Sequence, residues 1–269
     1  MPRRPIALTI AGSDSGGGGG IQADLKTFQA FGVFGCSAIT AVTAQNTLGV
    51  RAIQRIDPAK VADQIHAVAE DLRPAAAKSG MLADAEIIRV VTTAIQEARL
   101  EHYILDPVMV AKSGDQLLEA DAVGTLAESL LPLAEVVTPN MPEAALLAER
   151  PVHTVEHMME AAEALVQRGA RAALVKGGHL EGDTVVDVYY DGARHQSWES
   201  ARIETRHTHG TGCTLSAAIC AGLALGWPRL TAVERAREFT RRAIETAPGI
   251  GAGHGPLNHW ASIEFEDDS

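Results

Sequence analysis

Short apolar runs alternate with segments of helical periodicity along almost the whole chain. The first run, IALTIAG over residues 6–12, is followed by Ile21, Leu25, Phe28 and Phe31 at near-helical spacing. A short continuous apolar run is typical of a strand that is buried on both faces of a parallel sheet. The start of the chain therefore predicts a strand, a glycine loop and a helix, in that order.

The same alternation continues towards the carboxyl end. It predicts strands at 38–45, 75–80, 103–106, 135–140, 172–178 and 185–190, helices at 58–72, 84–98 and 155–168, and two C-terminal helices separated by residues 226–231. Repeated βαβ units form a mostly parallel sheet with helices on both faces. No linker or repeat interrupts the pattern, so residues 1–269 are predicted to form one α/β domain. Ligands of such sheets bind beyond the carboxyl ends of the strands.

Five consecutive glycines, Gly16–Gly20, lie between the first strand and the first helix. Their position between two elements argues against a linker and favours a loop whose bare N–H groups a ligand approaches closely. The dinucleotide motif G-x-G-x-x-G is excluded, because residues 21–23 are Ile, Gln and Ala. A P-loop is excluded as well, because Leu25 and not glycine precedes Lys26.

A second glycine loop opens an apolar helix within HTHGTGCTLSAAI, residues 207–219. Successive N–H groups over Gly210, Thr211, Gly212 and Cys213 would form an anion site that stabilises a transferring phosphoryl group. An ordinary glycine turn is the alternative, and the loop alone does not decide between the two. Two glycine loops at one edge of the sheet predict two polar ligands that meet there.

Cys213 stands in the first turn of this predicted helix. There the helix dipole would lower the pKa of the thiol and make it a candidate base or orienting group for an attacking hydroxyl. The alternative is a small buried core residue. Cys36 and Cys220 are predicted to fill the core, and three unevenly spaced cysteines suit a reducing cytoplasm better than a disulfide framework.

Oxygen-bearing side chains follow two predicted strands. Asp106 ends one strand, and Asn140 and Glu143 directly follow another. Hard oxygen ligands from separate strand ends suit Mg²⁺ when phosphates complete its coordination. Alternatively, Asn140 and Glu143 cap a helix around Pro142. Lys176, at a third strand end, could neutralise a phosphate or could be a surface lysine.

Three further side chains could contact an organic substrate. Gln45 ends a strand and offers both a donor and an acceptor, which the edge of a heterocycle requires. Met81 could supply an apolar wall. Asp24 lies in the first turn of the first predicted helix, where a carboxylate often only offsets the dipole. Residues 108–118 are predicted to form a mobile flap between a strand and a helix.

Charge and composition limit the partners. The net charge is −11 and no basic patch is evident, which argues against a nucleic-acid partner. No apolar run reaches about 18 residues, which argues against a membrane span. The ten histidines show no metal-ligand spacing.

These features form seven motifs, in the order AGSDSGGGGGIQADLKTF, TAQNT, KSGML, LDPVMVAKSGDQLL, TPNMPEA, VKGGH and HGTGCTLSAAI. Together they closely resemble the hydroxymethylpyrimidine/phosphomethylpyrimidine kinases of thiamine biosynthesis, which belong to the ribokinase-like superfamily. The resemblance implies a ribokinase-like fold, a three-layer α/β/α sandwich with a mostly parallel central sheet. It also implies a cytoplasmic homodimer that uses ATP and Mg²⁺ to phosphorylate 4-amino-5-hydroxymethyl-2-methylpyrimidine and then its monophosphate.

The resemblance also implies a role for each matching residue. Gln45 would hydrogen-bond to the edge of the pyrimidine ring. The other residues around the ring would be Asp24, Met81, Val108 and the backbone near Gly19. The anion hole would be formed by Gly210, Thr211, Gly212 and Cys213. Mg²⁺ would lie by Asn140 and Glu143. The nucleotide would lie by Asp106, Lys176, Gly177 and Gly178.

Some positions depart from the family pattern. Gly19 stands where alanine is usual, which predicts a looser loop, and Arg237 stands where many relatives have a lysine near the phosphates. Relatives that phosphorylate pyridoxal carry a second cysteine in the flap, whereas the equivalent position here resembles Ala111. A pyridoxal-type kinase is the rival enzyme, and a binding protein that has lost catalysis is the rival from another class.

Overall fold

One sheet forms the centre of the protein. The computed structural model describes residues 4–110, 114, 117–119 and 121–261. Its strands are β1 (Ile6–Asp14), β2 (Phe34–Asn46), β3 (Gly49–Arg55), β4 (Ala76–Ser79), β5 (Tyr103–Leu105), β6 (Val136–Val137), β7 (Ala173–Val175), β8 (Thr184–Tyr190) and β9 (His195–Ala201). They lie in the order β3-β2-β1-β4-β5-β6-β7-β8-β9. In this spatial order, the six strands β2-β1-β4-β5-β6-β7 pair in parallel. At one edge β3 pairs antiparallel with β2, and at the other β8 pairs antiparallel with β7 and β9 with β8.

Helices cover both faces of the sheet. They are α1 (Gly20–Ala30), α2 (Pro58–Asp71), α3 (Ala85–Glu97), α4 (Ala122–Ser129), α5 (Met141–Ala148), α6 (Val155–Gln167), α7 (Thr211–Ala224) and α8 (Arg229–Glu245). α1, α7 and α8 contribute to one buried cluster, and α2 to α6 contribute to the other. The predicted three-layer α/β/α arrangement with a mostly parallel sheet is therefore confirmed.

The core follows from the two-residue period of the strands. In β5, Tyr103 and Leu105 belong to one buried cluster and Ile104 belongs to the other. Alternate side chains of a strand point to opposite faces, so a strand between two helical layers is apolar at most of its positions. This requirement explains why short continuous apolar runs marked the central strands correctly.

Two edge strands were not predicted, and two short helices were indicated only as the helix after the flap and the helix capped around Pro142, without bounds. β3 leaves five consecutive side chains exposed, and β9 alternates between exposed and half-buried side chains. Such strands have no buried face and therefore show no apolar run. α4 and α5 have eight residues each, too few for a clear helical period. Within the described ranges, no helix is long and apolar enough to span a bilayer.

Candidate active site

Asp14, the last residue of β1, holds the five-glycine loop closed. Its carboxylate accepts hydrogen bonds from the N–H groups of Gly16 at 2.8 Å, Gly18 at 3.1 Å and Gly19 at 2.7 Å, and contacts Nε2 of His209 at 2.7 Å. Burial alone would raise the pKa of Asp14, but His209 and the loop N–H groups together hold it below its ordinary value. Asp14 was not predicted as a site residue, although a carboxylate directly before the glycine loop was a usable signal.

The ring of His209 fills the space in front of this loop. A Cβ on Gly18 would lie 2.6 Å from Cδ2 of His209, and a Cβ on Gly20 would lie 2.3 Å from the carbonyl oxygen of Gly12. Both positions therefore require glycine. Gly19 has an extended φ of −131°, but its Cβ would lie 3.0 Å from Cε1 of His209. Alanine fits there only if the ring moves by a few tenths of an ångström.

Gly210 joins the two glycine loops at the start of α7. Its φ is +84°, and a Cβ on it would lie 1.8 Å from the carbonyl oxygen of Gly18. The two loops are therefore in contact, and the meeting of two polar ligands there stays a prediction. Gly210 has no side chain to cap α7, so the first-turn N–H groups of Gly212 and Cys213 have no capping side chain and can face a ligand.

A buried ion pair links α1 and β4. Nζ of Lys78 donates to both carboxylate oxygens of Asp24, at 3.0 and 3.1 Å, and Thr9 donates its hydroxyl to the same carboxylate at 2.6 Å. All three side chains are fully buried. In this structure Asp24 therefore holds Lys78 and does not line an open pocket, so its contact with a pyrimidine stays a prediction. Lys78 was not predicted as a site residue, although a lysine inside the apolar run AAAKSG was a usable signal.

The thiol of Cys213 has the opposite pKa shift from the one expected. Burial raises the pKa of Cys213 to about 12, and the negative charges of Asp24 and Asp106 act in the same direction, whereas Lys78 and the N–H of Gly20 oppose them. The prediction of a lowered pKa was wrong, because desolvation outweighs the helix dipole here. The thiol is protonated at neutral pH and can orient a hydroxyl without acting as a base.

Asp106 and Lys176 form a second buried pair beside the first turn of α7. Asp106 accepts hydrogen bonds from Ser216 at 3.1 Å and Thr138 at 3.4 Å, and Nζ of Lys176 lies 3.4 Å from its Oδ1. A Cβ on Gly212 would lie only 3.3 Å from that Nζ. The Lys176 side chain is 16% exposed, so the alternative of a surface lysine is excluded.

Asn140 and Glu143 form a capping box on α5. The side chain of Asn140 accepts from the N–H of Glu143 at 2.9 Å, and Glu143 accepts from the N–H of Asn140 at 2.8 Å. Burial raises the pKa of Glu143 to about 7; Lys176 lowers it and Asp106 raises it. Asn140 and Glu143 therefore cap α5, which was the alternative interpretation. Their role at Mg²⁺ stays a prediction.

A magnesium ion would need help from phosphates at this edge. In the part of the chain that the structure describes, no group of three or more histidine, cysteine, aspartate or glutamate side chains could hold a metal. Mg²⁺ keeps several waters and usually takes one or two protein carboxylates with substrate phosphates. The buried carboxylates of Asp106 and Glu143, close to Lys176, fit that requirement.

The turn after β7 is held from α8. Arg237 donates from Nε to Oδ2 of Asp187 at 2.8 Å, and Oδ1 of Asp187 accepts from the N–H of Gly177 at 3.1 Å. The guanidinium also lies 4.7 Å from the ring centroid of Trp198. Arg237 therefore supports the turn at Gly177 and Gly178 through Asp187, and its direct contact with phosphates stays a prediction.

The side chains predicted to surround a substrate ring lie on both sides of β1. Gln45, at the end of β2, has its Nε2 3.4 Å from Nε2 of His209. Met81 packs its sulfur 3.0 Å from the Cβ position of Gly12. It also borders an open groove of about 580 Å³, whose lining comes mainly from β3 and residues 117–119 and does not include Gln45, Gly19 or Val108. The N–H of Val108 donates to the carbonyl of Asp106, which places Val108 at the end of β5.

The predicted flap is described only at its base. The carbonyl oxygen of Met109 accepts from the N–H groups of Leu117 and Leu118, so the two ends of the segment meet. Ala111, which bears on the choice between pyridoxal and pyrimidine, lies outside the described residues, as do 112–113, 115–116 and 120.

Comparison with known proteins points to one family. A family model described as phosphomethylpyrimidine kinase matches residues 14–258. The chain is 50% identical over 256 residues to the hydroxymethylpyrimidine/phosphomethylpyrimidine kinase of Bacillus subtilis, covering 95% of this chain and 94% of that protein. It is also similar to the solved structure of phosphomethylpyrimidine kinase from Clostridium difficile, with a TM-score of 0.81, 41% identity, and coverage of 90% and 100% of the two chains.

A second vitamin kinase has a similar structure. The ADP complex of pyridoxal kinase from Bacillus subtilis gives a TM-score of 0.88 at 38% identity and covers 96% of this chain and 98% of that one. The fold is therefore ribokinase-like and is shared by both activities. Sequence identity and the family model agree that the chain belongs to the phosphomethylpyrimidine kinase family.

Proposed function

We propose that the protein transfers the terminal phosphoryl group of ATP to the hydroxymethyl group of 4-amino-5-hydroxymethyl-2-methylpyrimidine, and a second one to the resulting monophosphate. The observation that carries the proposal is the start of α7, where Gly210 locks two glycine loops together and uncapped N–H groups lie beside Lys176 and Asp106. Fixed donors at this point stabilise charge on a phosphoryl group without reorganisation.

The residues around the point of phosphoryl transfer have three different proposed roles. Lys176 supplies a positive charge for the phosphates; burial alone would lower its pKa, but Asp106 and Glu143 raise it. Asp106, Asn140 and Glu143 provide the oxygen atoms that would hold Mg²⁺, which neutralises charge on phosphate oxygens when bound. The protonated thiol of Cys213 orients the attacking oxygen, because phosphoryl transfer needs positioning more than it needs a base.

Sequence identity to two relatives supports the proposed preference for a pyrimidine over pyridoxal. Within one organism, Bacillus subtilis, the chain is 50% identical to the pyrimidine kinase and 38% identical to the pyridoxal kinase. Gln45 offers a donor and an acceptor side by side, which match the exocyclic amine and adjacent ring nitrogen of an aminopyrimidine. Pyridoxal lacks that pair, and an unpaired buried amide costs about 1–3 kcal/mol.

A coupled ADP-release assay with three acceptors tests the proposal. With saturating MgATP, we expect turnover of the pyrimidine alcohol and of its monophosphate, and kcat/KM for pyridoxal lower by at least about tenfold. Mass spectrometry should identify the monophosphate and the diphosphate as products. Equal or better kcat/KM for pyridoxal would contradict the assignment, and no ADP release above background with any of the three acceptors would indicate a binding protein that has lost catalysis.

We further propose that the enzyme is a cytoplasmic homodimer joined through the edge formed by β2 and β3. β3 is the outer strand of the sheet, and Val42, Leu48 and Ile53 on this ribbon are exposed apolar side chains. An exposed edge strand with apolar side chains is a surface that proteins cover. A second copy of the same strand offers matching backbone groups.

A further inference from the structure

His209 lies between the first glycine loop and Gln45. Its Nε2 is 2.7 Å from Oδ2 of Asp14 and 3.4 Å from Nε2 of Gln45. Its side chain is 15% exposed and its ring packs against Gly18 and Gly19. A ring held on these sides presents one fixed nitrogen to Gln45, the side chain proposed to read the substrate.

Hydrogen-bonding rules locate the proton on that nitrogen. The pKa of Asp14 lies below its ordinary value, so its carboxylate is ionised at neutral pH and can only accept. Nε2 of His209 must therefore carry a proton and donate it to Asp14. Nε2 of Gln45 is also a donor, and two donors cannot satisfy each other.

The amide of Gln45 resolves this conflict by a rotation of 180° about its last single bond. Its oxygen then accepts the longer branch of a three-centre hydrogen bond, since the Nε2–H of His209 points mainly to Asp14 at 2.7 Å and lies 3.4 Å from this end of the amide. Its NH2 group faces the hydroxyl oxygen of Thr43, which lies 3.2 Å from the other end of the amide. Thr43 donates its own proton to the carbonyl of Ser13 at 3.0 Å, so its oxygen is free to accept. In this orientation each donor in the series faces an acceptor, whereas the opposite orientation sets the NH2 group of Gln45 against the N–H of His209.

We propose that His209 is a positioning residue that locks the amide of Gln45 in this one orientation. The inference rests on the proposed function, since it concerns how the same site reads a pyrimidine. The locked amide requires a ring edge with a donor on the side of His209 and an acceptor on the side of Thr43.

This order selects between two closely similar pyrimidines. A 4-aminopyrimidine offers an amine donor beside a ring nitrogen acceptor, whereas its 4-oxo counterpart offers a carbonyl acceptor beside a ring N–H donor. The ring cannot turn over to compensate, because its hydroxymethyl group must face the phosphoryl donor. A free amide could rotate and bind either compound, but a locked amide binds only the 4-amino compound.

The test compares kcat/KM for the 4-amino and 4-oxo pyrimidine alcohols in four proteins. His209→Leu removes the donor, and His209→Gln keeps an amide N–H near the position of Nε2. His254→Ala is the matched control, because His254 is exposed and its ring lies 3.2 Å from the carbonyl oxygen of Arg206, away from Gln45 in the hydrogen bonds of the described residues. Calorimetric binding of both pyrimidines without ATP gives a second readout that does not depend on turnover.

The wild-type protein and His254→Ala should prefer the 4-amino compound by at least about a hundredfold. His209→Leu should reduce this preference at least tenfold, mainly through KM and binding, and His209→Gln should restore most of it. An unchanged preference in a His209→Leu protein with a normal melting curve would overturn the proposal. A wild-type protein that phosphorylates neither compound would instead refute the proposed function, and calorimetry would still decide the role of His209.

Discussion

At the scale of single residues, burial decides what the thiol of Cys213 can contribute. A helix N-terminus lowers a thiol pKa only where the thiolate is accessible to solvent or to a compensating cation. Here Asp24 neutralises the nearest cation, Lys78, and the pKa of Cys213 rises to about 12. Orientation of the attacking oxygen is the role that remains for Cys213 at neutral pH.

Substitution of Cys213 separates orientation from base catalysis. Cys213→Ala should lower kcat by about 10²-fold and leave KM for ATP within about threefold, since misplacing the attacking oxygen by about 1 Å can cost about 10²-fold. Cys213→Ser keeps a hydroxyl of similar reach and should retain most of the rate. Because the thiol stays protonated, kcat of the wild type should not rise between pH 6 and pH 9 relative to kcat of Cys213→Ser. Steady-state kinetics across that range would reveal such a rise.

Glu143 should make stability depend on pH. Its folded pKa is about 7, above the ordinary value of 4.5, so its contribution is fully present below pH 4.5 and is lost as the pH rises through 7. Glu143→Gln keeps an acceptor for Asn140 and removes the titration. The Tm of this variant should therefore match the wild type near pH 5 and exceed it by a few degrees at pH 8 in the absence of nucleotide.

Thermal melts at both pH values check this expectation for Glu143. Glu128→Gln, on the exposed side of α4, controls for the loss of one negative charge. A Tm difference that stays constant from pH 5 to pH 8 would show that Glu143 does not titrate in this range. In the kinetic assay, Glu143→Gln should also raise the Mg²⁺ concentration for half-maximal rate, since a hard anionic ligand is lost.

At the scale of elements, the local sequence predicted the central strands and the two glycine loops, which depend on local patterns of residues. The apolar runs located the central strands, and the two glycine loops located the site. The contacts that build the site join residues far apart in sequence: Lys78 and Asp24 are separated by 54 positions, and His209 and Asp14 by 195. No local pattern encodes such pairs, because they arise only when the sheet brings strand ends together.

The contact between the glycine loops gives an element-scale prediction. Gly210→Ala would place a methyl group 1.8 Å from the carbonyl oxygen of Gly18 at a φ of +84°. We expect the loops to separate and kcat to fall by at least about a hundredfold, because the first turn of α7 would lose its position. Gly226 is a matched control, with a φ of +85° and no atom within 4 Å of its Cβ position.

The control isolates backbone strain from the clash at Gly210. Gly226→Ala carries only the strain of the left-handed region, about 1–2 kcal/mol, so its Tm should fall by several degrees while its kcat is unchanged. Melting curves and steady-state rates of both variants distinguish the two effects. Equal kcat in Gly210→Ala and the wild type would show that the contact between the loops is not needed for catalysis.

At the scale of the whole molecule, the sheet topology determines where the charges meet. β1, β4, β5 and β7 are parallel, so their carboxyl ends bring Asp14, Lys78, Asp106 and Lys176 to one edge. The general rule for parallel sheets predicted this edge, and the strand-end residues that the sequence singled out lie there. The molecule as a whole carries a net charge of −11, so anionic substrates must be held by these local donors and cations.

The lateral edge of the sheet that β2 and β3 form leads to the last prediction, which concerns assembly. Leu48, between β2 and β3, is 67% exposed, and Leu146, on α5, is 56% exposed. If the β2–β3 edge joins two copies, Leu48→Glu places a charge in the interface and should raise the dimer dissociation constant at least about tenfold, while Leu146→Glu should not. Light scattering after size exclusion distinguishes the 28.4 kDa monomer from a species of twice that mass. A wild-type protein that elutes as a monomer at micromolar concentration, or a Leu48→Glu protein that dimerises as well as Leu146→Glu does, would contradict the proposed interface.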